Sequence, residues 1–516
     1  MAQWNKTTQD YLNQERSLHE VYLRADQYGN ILNDGATSRS AFGELLSVTP
    51  TPVVQFDGLY GFDTNKIELY QFGTGITTAN NLMEASTGTG AYGYGVIRSK
   101  KTVRYRPGQG ALARFTAKFD EGRTGYTQRV GFFTQEQALQ VGYNTNGKFG
   151  ILRANGGKAH IHRFTINTKA SGTENITVTL AGTATTVSIG AGTTTFDNAA
   201  GIGKNTFPGW NVDYKSDEVI FLSNSLGPKT GTFSMTSSGT LVATSSTAQT
   251  GVNQTEYWTY QENWNLDNLT GVGGTTNPSL VTLNPQTLNV FQINFRWLGA
   301  GEMRYAIENP TNGDMIFIHH DHYSNQNNTV HLDNPSLKIG YVAAELSGNS
   351  GAGVTVCGAS VMGAIEGIIS PTDYPLAAYT SRDTSISANT VTHLLSVKGD
   401  LITNNKINSR ELILKKLTCG ATVTGGAPSL VYLFLEPTYA STPVFEKLGS
   451  ASSFSTTNTT ITGTPIAVFA IASGAPQTID VTDLRLVLPP KTKFALAISS
   501  SGQINRVDTG ITFIED

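Results

Sequence analysis

Apolar and polar residues alternate one by one in several stretches of this sequence, and this period constrains the fold more than any other feature. In FQINFRWLG, the side chains of Phe291, Ile293 and Phe295 fall on one face and polar side chains on the other. The stretch ALARFTAKF, residues 111–119, alternates in the same way. Because strand side chains point alternately to the two faces of a sheet, this period predicts antiparallel sheets with one packed and one wet face.

Composition argues against a disordered chain and against a helical bundle. The 516 residues are enough for more than one core. Charged residues make up only 15% and hydrophobic residues 39%, with 54 glycines, which fits neither a disordered chain nor a helical bundle. We therefore expect a mainly β protein, with two antiparallel, jelly-roll-like β-sandwich domains, a small inserted α+β or all-β domain and an N-terminal arm.

Changes of pattern along the chain predict five segments. A nearly charge-free region in the middle is either a folded insertion or a low-complexity linker, and the alternation of Ile176, Val178 and Leu180 favours a folded insertion. The predicted segments are a docking arm (1–50), the first part of a β-sandwich (51–165), an inserted small domain (166–252), the second part of that sandwich (253–370) and a C-terminal β-sandwich (371–516).

Net charge and cysteine content limit which classes of partner and which cellular compartment we expect. A net charge of −3 argues against a nucleic-acid partner. No apolar run reaches 18 residues, and the polar start MAQWNKTTQDYLNQ predicts neither a membrane span nor a cleavable signal peptide. The two cysteines, Cys357 and Cys419, allow at most one disulfide, and whether they meet stays open. We expect a protein that folds in a reducing cytoplasm.

Three short motifs match nucleotide-binding or catalytic patterns by their letters only. GTGAYG at 88–93 has no following helix pattern, and GIGK at 201–204 departs from a phosphate loop at both ends. GNSG at 348–351 would need a positioned histidine and carboxylate to act as a nucleophile turn. The sequence therefore predicts no enzyme and no cofactor.

Histidines are concentrated in the stretch IHHDH and just after it. His320 and His322 would share one face of a strand, and imidazoles with a nearby carboxylate bind zinc or another divalent ion. We take these two residues as candidate metal ligands. The alternative is a polar strand end whose histidines are solvated or bonded to the backbone. His160 and His162 form a second pair with the same spacing.

Aromatic and basic clusters indicate two candidate contact surfaces. Tyr257 and Trp258 lie in an aromatic cluster; exposed rings of this kind stack on sugars, so both are candidate glycan contacts, with core packing as the alternative. The stretch RSKKTVRYR, from Arg98 to Arg106, would place four basic side chains on one face of a strand. That face would meet an acidic partner or a phosphate, or would only protect a sheet edge.

Several segments resemble structural proteins of tailed bacteriophages. SAFGELLSVTP, residues 40–50, is similar to the AFGRLRVS-P signature of that family, although Leu45 and Leu46 stand where basic residues are usual. The inserted region resembles small domains found inside other phage virion proteins. Further similar segments cover residues 103–133, 176–189, 218–235, 263–273, 282–307, 331–335, 408–423 and 440–449.

The resemblance implies a component of the virion, assembled in the host cytoplasm, and carries over no catalytic residue. We expect a tail, baseplate or fibre protein that binds other virion proteins through its N-terminal arm and contributes to host attachment. Particle proteins are symmetric, so a homo-oligomer is expected, with a trimer as the first guess. The alternatives are a capsid decoration protein or head fibre, and a carbohydrate-binding protein that contacts a host-surface glycan.

Overall fold

The computed structural model describes residues 23–25, 31–33 and 50–516, except 74, 349, 368–373 and 485. Strands account for 55% and helices for 4%, which confirms the predicted mainly β fold. The predicted N-terminal arm lies outside the described residues apart from Pro50 and one short antiparallel pair. That pair consists of β1 (Leu23–Ala25) and β2 (Ile31–Asn33).

The next strands belong to two large antiparallel sheets that face one another. They are β3 (Thr51–Asp57), β4 (Ile67–Phe72), β5 (Ile76–Ala79), β6 (Leu82–Ser86), β7 (Tyr94–Ser99), β8 (Ala111–Phe119), β9 (Tyr126–Phe133), β10 (Ala138–Tyr143) and β11 (Phe149–Asn155).

The strands that directly follow β11 do not pair with the two large sheets. They form two small sheets, which are joined by a helix. These elements are β12 (Ala159–Thr168), β13 (Glu174–Leu180), β14 (Thr183–Ile189), α1 (Thr195–Gly203), β15 (Trp210–Lys215), β16 (Glu218–Leu226), β17 (Ser234–Ser237) and β18 (Val242–Gln249). The helix begins with a capping box, in which Thr194 and Asp197 satisfy each other's backbone N–H groups. We call this unit the insertion.

The chain returns to the large sheets through the remaining strands of the first sandwich. They are β19 (Thr255–Tyr260), followed by the 3₁₀ turn Gln261–Asn263, and β20 (Asn289–Phe295), β21 (Met303–Glu308), β22 (Met315–Asp321), β23 (Lys338–Glu345), β24 (Thr355–Gly358) and β25 (Ser360–Ile365). One sheet has the order β19-β11-β10-β9-β23-β7-β4, and the facing sheet has β22-β21-β20-β8-β24-β6-β5. In the facing sheet β25 also pairs with β8, and β3 pairs with β25.

The core of the first sandwich lies between these two sheets. Phe115, Phe291 and Phe295 are fully buried there, as the period-two pattern predicts. The predicted wet face is wrong at Gln292 and Asn294, because both are buried. Their amides form a polar network instead, in which Gln292 donates to Asn294 Oδ1 at 2.7 Å and accepts a hydrogen bond from a guanidinium.

The C-terminal unit is a second pair of antiparallel sheets with its own core. Its strands are β26 (Pro375–Ile386), β27 (Thr392–Gly399), β28 (Ile402–Thr403), β29 (Lys406–Ile407), β30 (Leu412–Val423), β31 (Ser429–Leu435), β32 (Thr438–Tyr439), β33 (Glu446–Lys447), β34 (Ser452–Ser455), β35 (Ile461–Thr462), β36 (Pro465–Ile471), β37 (Gln477–Asp480), β38 (Val487–Leu488), β39 (Lys493–Ser500) and β40 (Ile504–Glu515), with 3₁₀ turns at Thr424–Gly426 and Thr482–Leu484. The larger sheets have the orders β26-β40-β30-β37, with β38 beside β30, and β33-β34-β27-β39-β31-β36.

Buried polar contacts join these units. Lys398 of β27 forms an ion pair with Asp213 of β15, and both side chains are buried. The cysteines do not pair: both Cys357 and Cys419 are free and buried. Among the described residues, no helix is long and apolar enough to cross a membrane. The predicted domain boundaries stay predictions.

Candidate functional site

The outer face of the seven-stranded sheet, turned away from the sandwich core, carries a groove. On β9, Val130 and Phe132 point into the core and are fully buried, so Arg129 and Gly131 face outward. The insertion covers part of this face through Asn211 of β15 and the neighbouring Asn224. Together they enclose a cavity of about 320 Å³, which we call the outer groove.

Glycines lie on the same strands as the residues that line the outer groove. In the strand register, Gly131 lies opposite Gly340, and Gly142 lies opposite Gly150. A Cβ atom at Gly340 would lie 1.9 Å from the carbonyl oxygen of Ile97, so the close approach of the strands requires glycine at that position. The strands that carry the lining residues therefore approach one another closely at this glycine.

Aromatic rings stand at one end of the groove. Tyr70 and Tyr94 line it and are about two-fifths exposed, at 42% and 39%. Phe72 stacks on Tyr94 with a centroid separation of 6.4 Å and extends the aromatic surface. Val96 and Val342 provide apolar contacts between these rings and the polar half of the groove. Apolar walls with a few convergent polar groups are typical of small-molecule sites.

Two buried donors in the groove lack hydrogen-bond partners. Gln140 is 1% exposed, and its Nε2 has no acceptor. The Nε atom of Arg129 is also without an acceptor, although Nη1 donates to Glu256 Oε1 at 3.1 Å. A buried N–H without a partner costs about 1–3 kcal/mol, and the side chains of both residues line the groove.

The cations beside the groove outnumber the anions. Glu68 accepts hydrogen bonds from both Arg98 and Lys338 at 2.8 Å, so one carboxylate forms ion pairs with two cations. Burial raises the pKa of Glu68, but the two cations outweigh it and hold the pKa below its ordinary value. Among the described residues that line the groove there are two guanidiniums, Arg98 and Arg129, and no carboxylate.

The structure does not bring the two predicted glycan contacts together. Tyr257 and Trp258 are consecutive in β19 and therefore point to opposite faces of the sheet. Trp258 lies on the outer face, packs against the apolar patch around Leu152 and donates from Nε1 to Glu256 at 2.9 Å. Tyr257 is half exposed and stacks beneath the guanidinium of Arg153, away from the groove.

The structure does bring the two predicted metal ligands together, and it adds a third residue. His320 Nδ1 lies 3.0 Å from Glu302 Oε1, and His322 Nδ1 lies 3.9 Å from the same oxygen. Their ligand atoms all lie within 4.8 Å of one another, which suits a divalent ion. Arg296 and Arg304 approach the other carboxylate oxygen, Oε2, and their charges oppose a cation. Metal binding at this cluster stays a prediction.

Burial sets the protonation of this cluster. It lowers the pKa of His320 to about 4, so this imidazole is neutral at pH 7. Burial raises the pKa of Glu302, but the neighbouring guanidiniums, Arg304 foremost, outweigh that effect and leave the pKa below its ordinary value. The second predicted pair, His160 and His162, stacks on Phe233 inside the insertion, and no carboxylate of the described residues forms a salt bridge with either histidine.

The predicted basic strand face is wrong. Strand β7 ends at Ser99, so the four basic residues predicted to share one face do not share it; they are Arg98, Lys100, Arg104 and Arg106. Arg98 pairs with Glu68 beside the groove, whereas Arg104 and Arg106 pair with Asp516. Only Arg98 of this stretch therefore belongs to the candidate site.

Sequence reasoning missed most of the groove. The glycines inside the neighbouring strands are one available signal, because a glycine within a strand marks a close approach of backbone. The period of two also separates Tyr257 from Trp258, which identifies Trp258 alone as a neighbour of the outer face. The unpartnered state of Gln140 and Arg129 depends on strand pairing and on the insertion, which no local pattern shows.

Comparisons with known proteins give fold likeness only. No protein-family model matches this chain, and no curated protein does. Among solved structures, the metal-free carbohydrate recognition domain of Emp46p is 8% identical, with 61% of this chain and 96% of that domain covered and a TM-score of 0.23. Arcelin-5, a lectin-like defence protein from Phaseolus vulgaris, is 9% identical (60% and 97% covered, TM-score 0.22), and lectin II from Ulex europaeus is 7% identical (61% and 100%, TM-score 0.22). Likenesses this weak carry no argument about function.

Proposed function

We propose that this chain is a carbohydrate-binding structural protein of a tailed-phage virion, without enzymatic activity. The observation that carries the binding role is the outer groove. It joins exposed aromatic rings at Tyr70 and Tyr94 to two buried, unpartnered N–H donors at Arg129 and Gln140. Aromatic faces pack against pyranose rings, and the donors satisfy hydroxyl or carboxylate oxygens of the sugar.

A non-enzymatic role is supported by the surroundings of a serine–histidine pair in the C-terminal unit. His393 Nε2 lies 2.6 Å from Ser396 Oγ, which resembles a nucleophile beside its base. Both side chains are fully buried, and the serine oxygen also contacts the hydroxyl of Tyr439 at 2.7 Å. A substrate has no access to this pair, so the contact serves packing.

The experiment for carbohydrate binding is a glycan array probed with the purified full chain. We expect binding to a subset of glycans, and we expect Tyr94→Ala to weaken it about tenfold because the sugar loses its stacking surface. Tyr379→Ala is the matched control, since Tyr379 is an exposed tyrosine in the C-terminal unit, outside the groove. Equal loss in both variants, or no binding to any glycan, would overturn the proposal.

The virion role rests on the resemblance to tailed-phage structural proteins. It is tested by gold labelling of purified particles with an antibody against residues 371–516, viewed by electron microscopy. Gold at the tail or its tip is expected for a tail, baseplate or fibre protein. Gold over the head would instead indicate a capsid decoration protein or head fibre. A chain missing from blots of the particles would contradict the virion role.

A further inference from the structure

We propose that the outer groove selects an acidic glycan, with a sugar carboxylate bound between Arg129 and Gln140. This inference rests on the proposed carbohydrate-binding function and specifies its ligand class. It does not depend on where the chain lies in a virion.

Strand register brings the two donors to one place. Gln140 of β10 lies opposite Gly131 of β9, and Gly131 is two residues from Arg129 on the same face. Arg129 and Gln140 are therefore diagonal neighbours, about 7–8 Å apart. The other two corners of this square are Gly131 and Gly142, since Gly142 lies opposite Arg129. Arg129 and Gln140 therefore line the groove from neighbouring strands, with glycine at the other two positions of the square.

The charge of Arg129 favours a carboxylate over a hydroxyl group. Among the described residues, its guanidinium forms an ion pair with Glu256 alone, and Glu256 also accepts from Trp258 Nε1. Burial lowers the pKa of Arg129 in spite of Glu256, so the cation is incompletely compensated. A sugar hydroxyl would satisfy the free Nε–H but would leave this charge, whereas a carboxylate satisfies both.

The neighbouring charges agree with an anionic ligand. Arg98 is the second guanidinium in the lining, and it shares its carboxylate partner, Glu68, with Lys338. An additional carboxylate in the groove therefore enters a field of net positive charge. The rings of Tyr70 and Tyr94 lie on the same face and provide the stacking surface for the sugar ring. This combination distinguishes an acidic glycan from an inorganic anion, which needs no aromatic surface.

The test compares polygalacturonate fragments with the same fragments after methyl esterification, by calorimetry on the full chain. Esterification removes the charge and keeps the ring, so we expect the free acid to bind at least about tenfold more tightly. Arg129→Gln is expected to abolish this preference. Arg153→Gln is the matched control, because Arg153 pairs with Asp321 and stacks on Tyr257 outside the groove.

If Arg129→Gln does not fold, Gln140→Met provides the second variant, with an expected loss of about tenfold in affinity for the free acid. Equal affinity for acid and ester would overturn the acidic preference and leave carbohydrate binding intact. Binding to neither the acid nor the ester would contradict the acidic inference. It would also contradict carbohydrate binding for these sugars. Equally tight binding of poly-L-glutamate would show a surface for acidic peptides and would also overturn the inference.

Discussion

At the scale of single residues, a buried amide without a partner should lower the stability of the fold and raise the affinity for a ligand. Gln140 Nε2 has no acceptor in the outer groove, so folding removes it from water without compensation. We expect Gln140→Met to raise the free energy of unfolding by about 1 kcal/mol, measured by urea denaturation. The same variant should lose affinity for the ligand, since the free donor is kept for binding.

The matched control is Gln292→Met, on the other large sheet. Gln292 is also buried, but its oxygen accepts from Arg114 and its nitrogen donates to Asn294. Removing it leaves these partners unsatisfied, so we expect a loss of about 1–3 kcal/mol. If both variants change stability in the same direction by the same amount, the absence of a partner at Gln140 is not what sets its contribution.

Residue-scale features divide into those that the sequence predicts and those that it does not. Burial of Phe291 and Phe295 follows from a local period, because strand geometry alone determines which side chains share a face. Burial of Gln292 was not predicted, since it depends on hydrogen bonds to side chains of other strands. The contact of His320 and His322 was expected from their spacing, but Glu302 joins them only because β21 and β22 pair.

At the scale of elements, ion pairs join the insertion to the C-terminal unit, and Lys398–Asp213 and Lys215–Asp400 are two of them. Lys398 of β27 contacts Asp213 of β15, and Asp213 also accepts from the backbone N–H of Leu401 at 2.8 Å. We expect Lys398→Met to lower the free energy of unfolding by about 3–5 kcal/mol, because Asp213 is left as an unpaired buried charge. The measurement is denaturation in urea at pH 7.

Two further variants make that prediction specific. Lys447→Met removes an exposed lysine of the same unit and should change stability by no more than about 0.5 kcal/mol. Adding Asp213→Leu to Lys398→Met should restore part of the loss, because no unpaired charge then remains. A double variant no more stable than the single one would refute an electrostatic cause. The separation of 185 positions along the chain explains why no sequence pattern indicates this pair.

At the scale of the whole molecule, buried histidines are spread over all three units. His162 lies in the insertion, His331 in the first sandwich and His393 in the C-terminal unit, and all three are buried. Burial lowers the pKa of each to about 4. The ordinary histidine value is about 6.5, so between these values the unfolded chain binds protons that the folded chain does not.

The sign of the resulting pH dependence follows directly. The contribution of these histidines to the free energy of unfolding is highest above pH 6.5. It falls as the pH decreases towards 4, by up to about 3 kcal/mol for each histidine. Urea denaturation at pH 7.5 and 5.0 measures this loss. His162→Gln can keep the contacts with Ser245 and Thr247 and cannot titrate, so it should match the parent chain at pH 7.5 within about 1.5 kcal/mol. At pH 5.0 it should lose less stability than the parent chain, because one proton-binding group of the unfolded chain is gone. If the variant loses as much free energy of unfolding between pH 7.5 and 5.0 as the parent chain does, His162 is not a source of the loss. If the parent chain is equally stable at both pH values, none of the three histidines is a source.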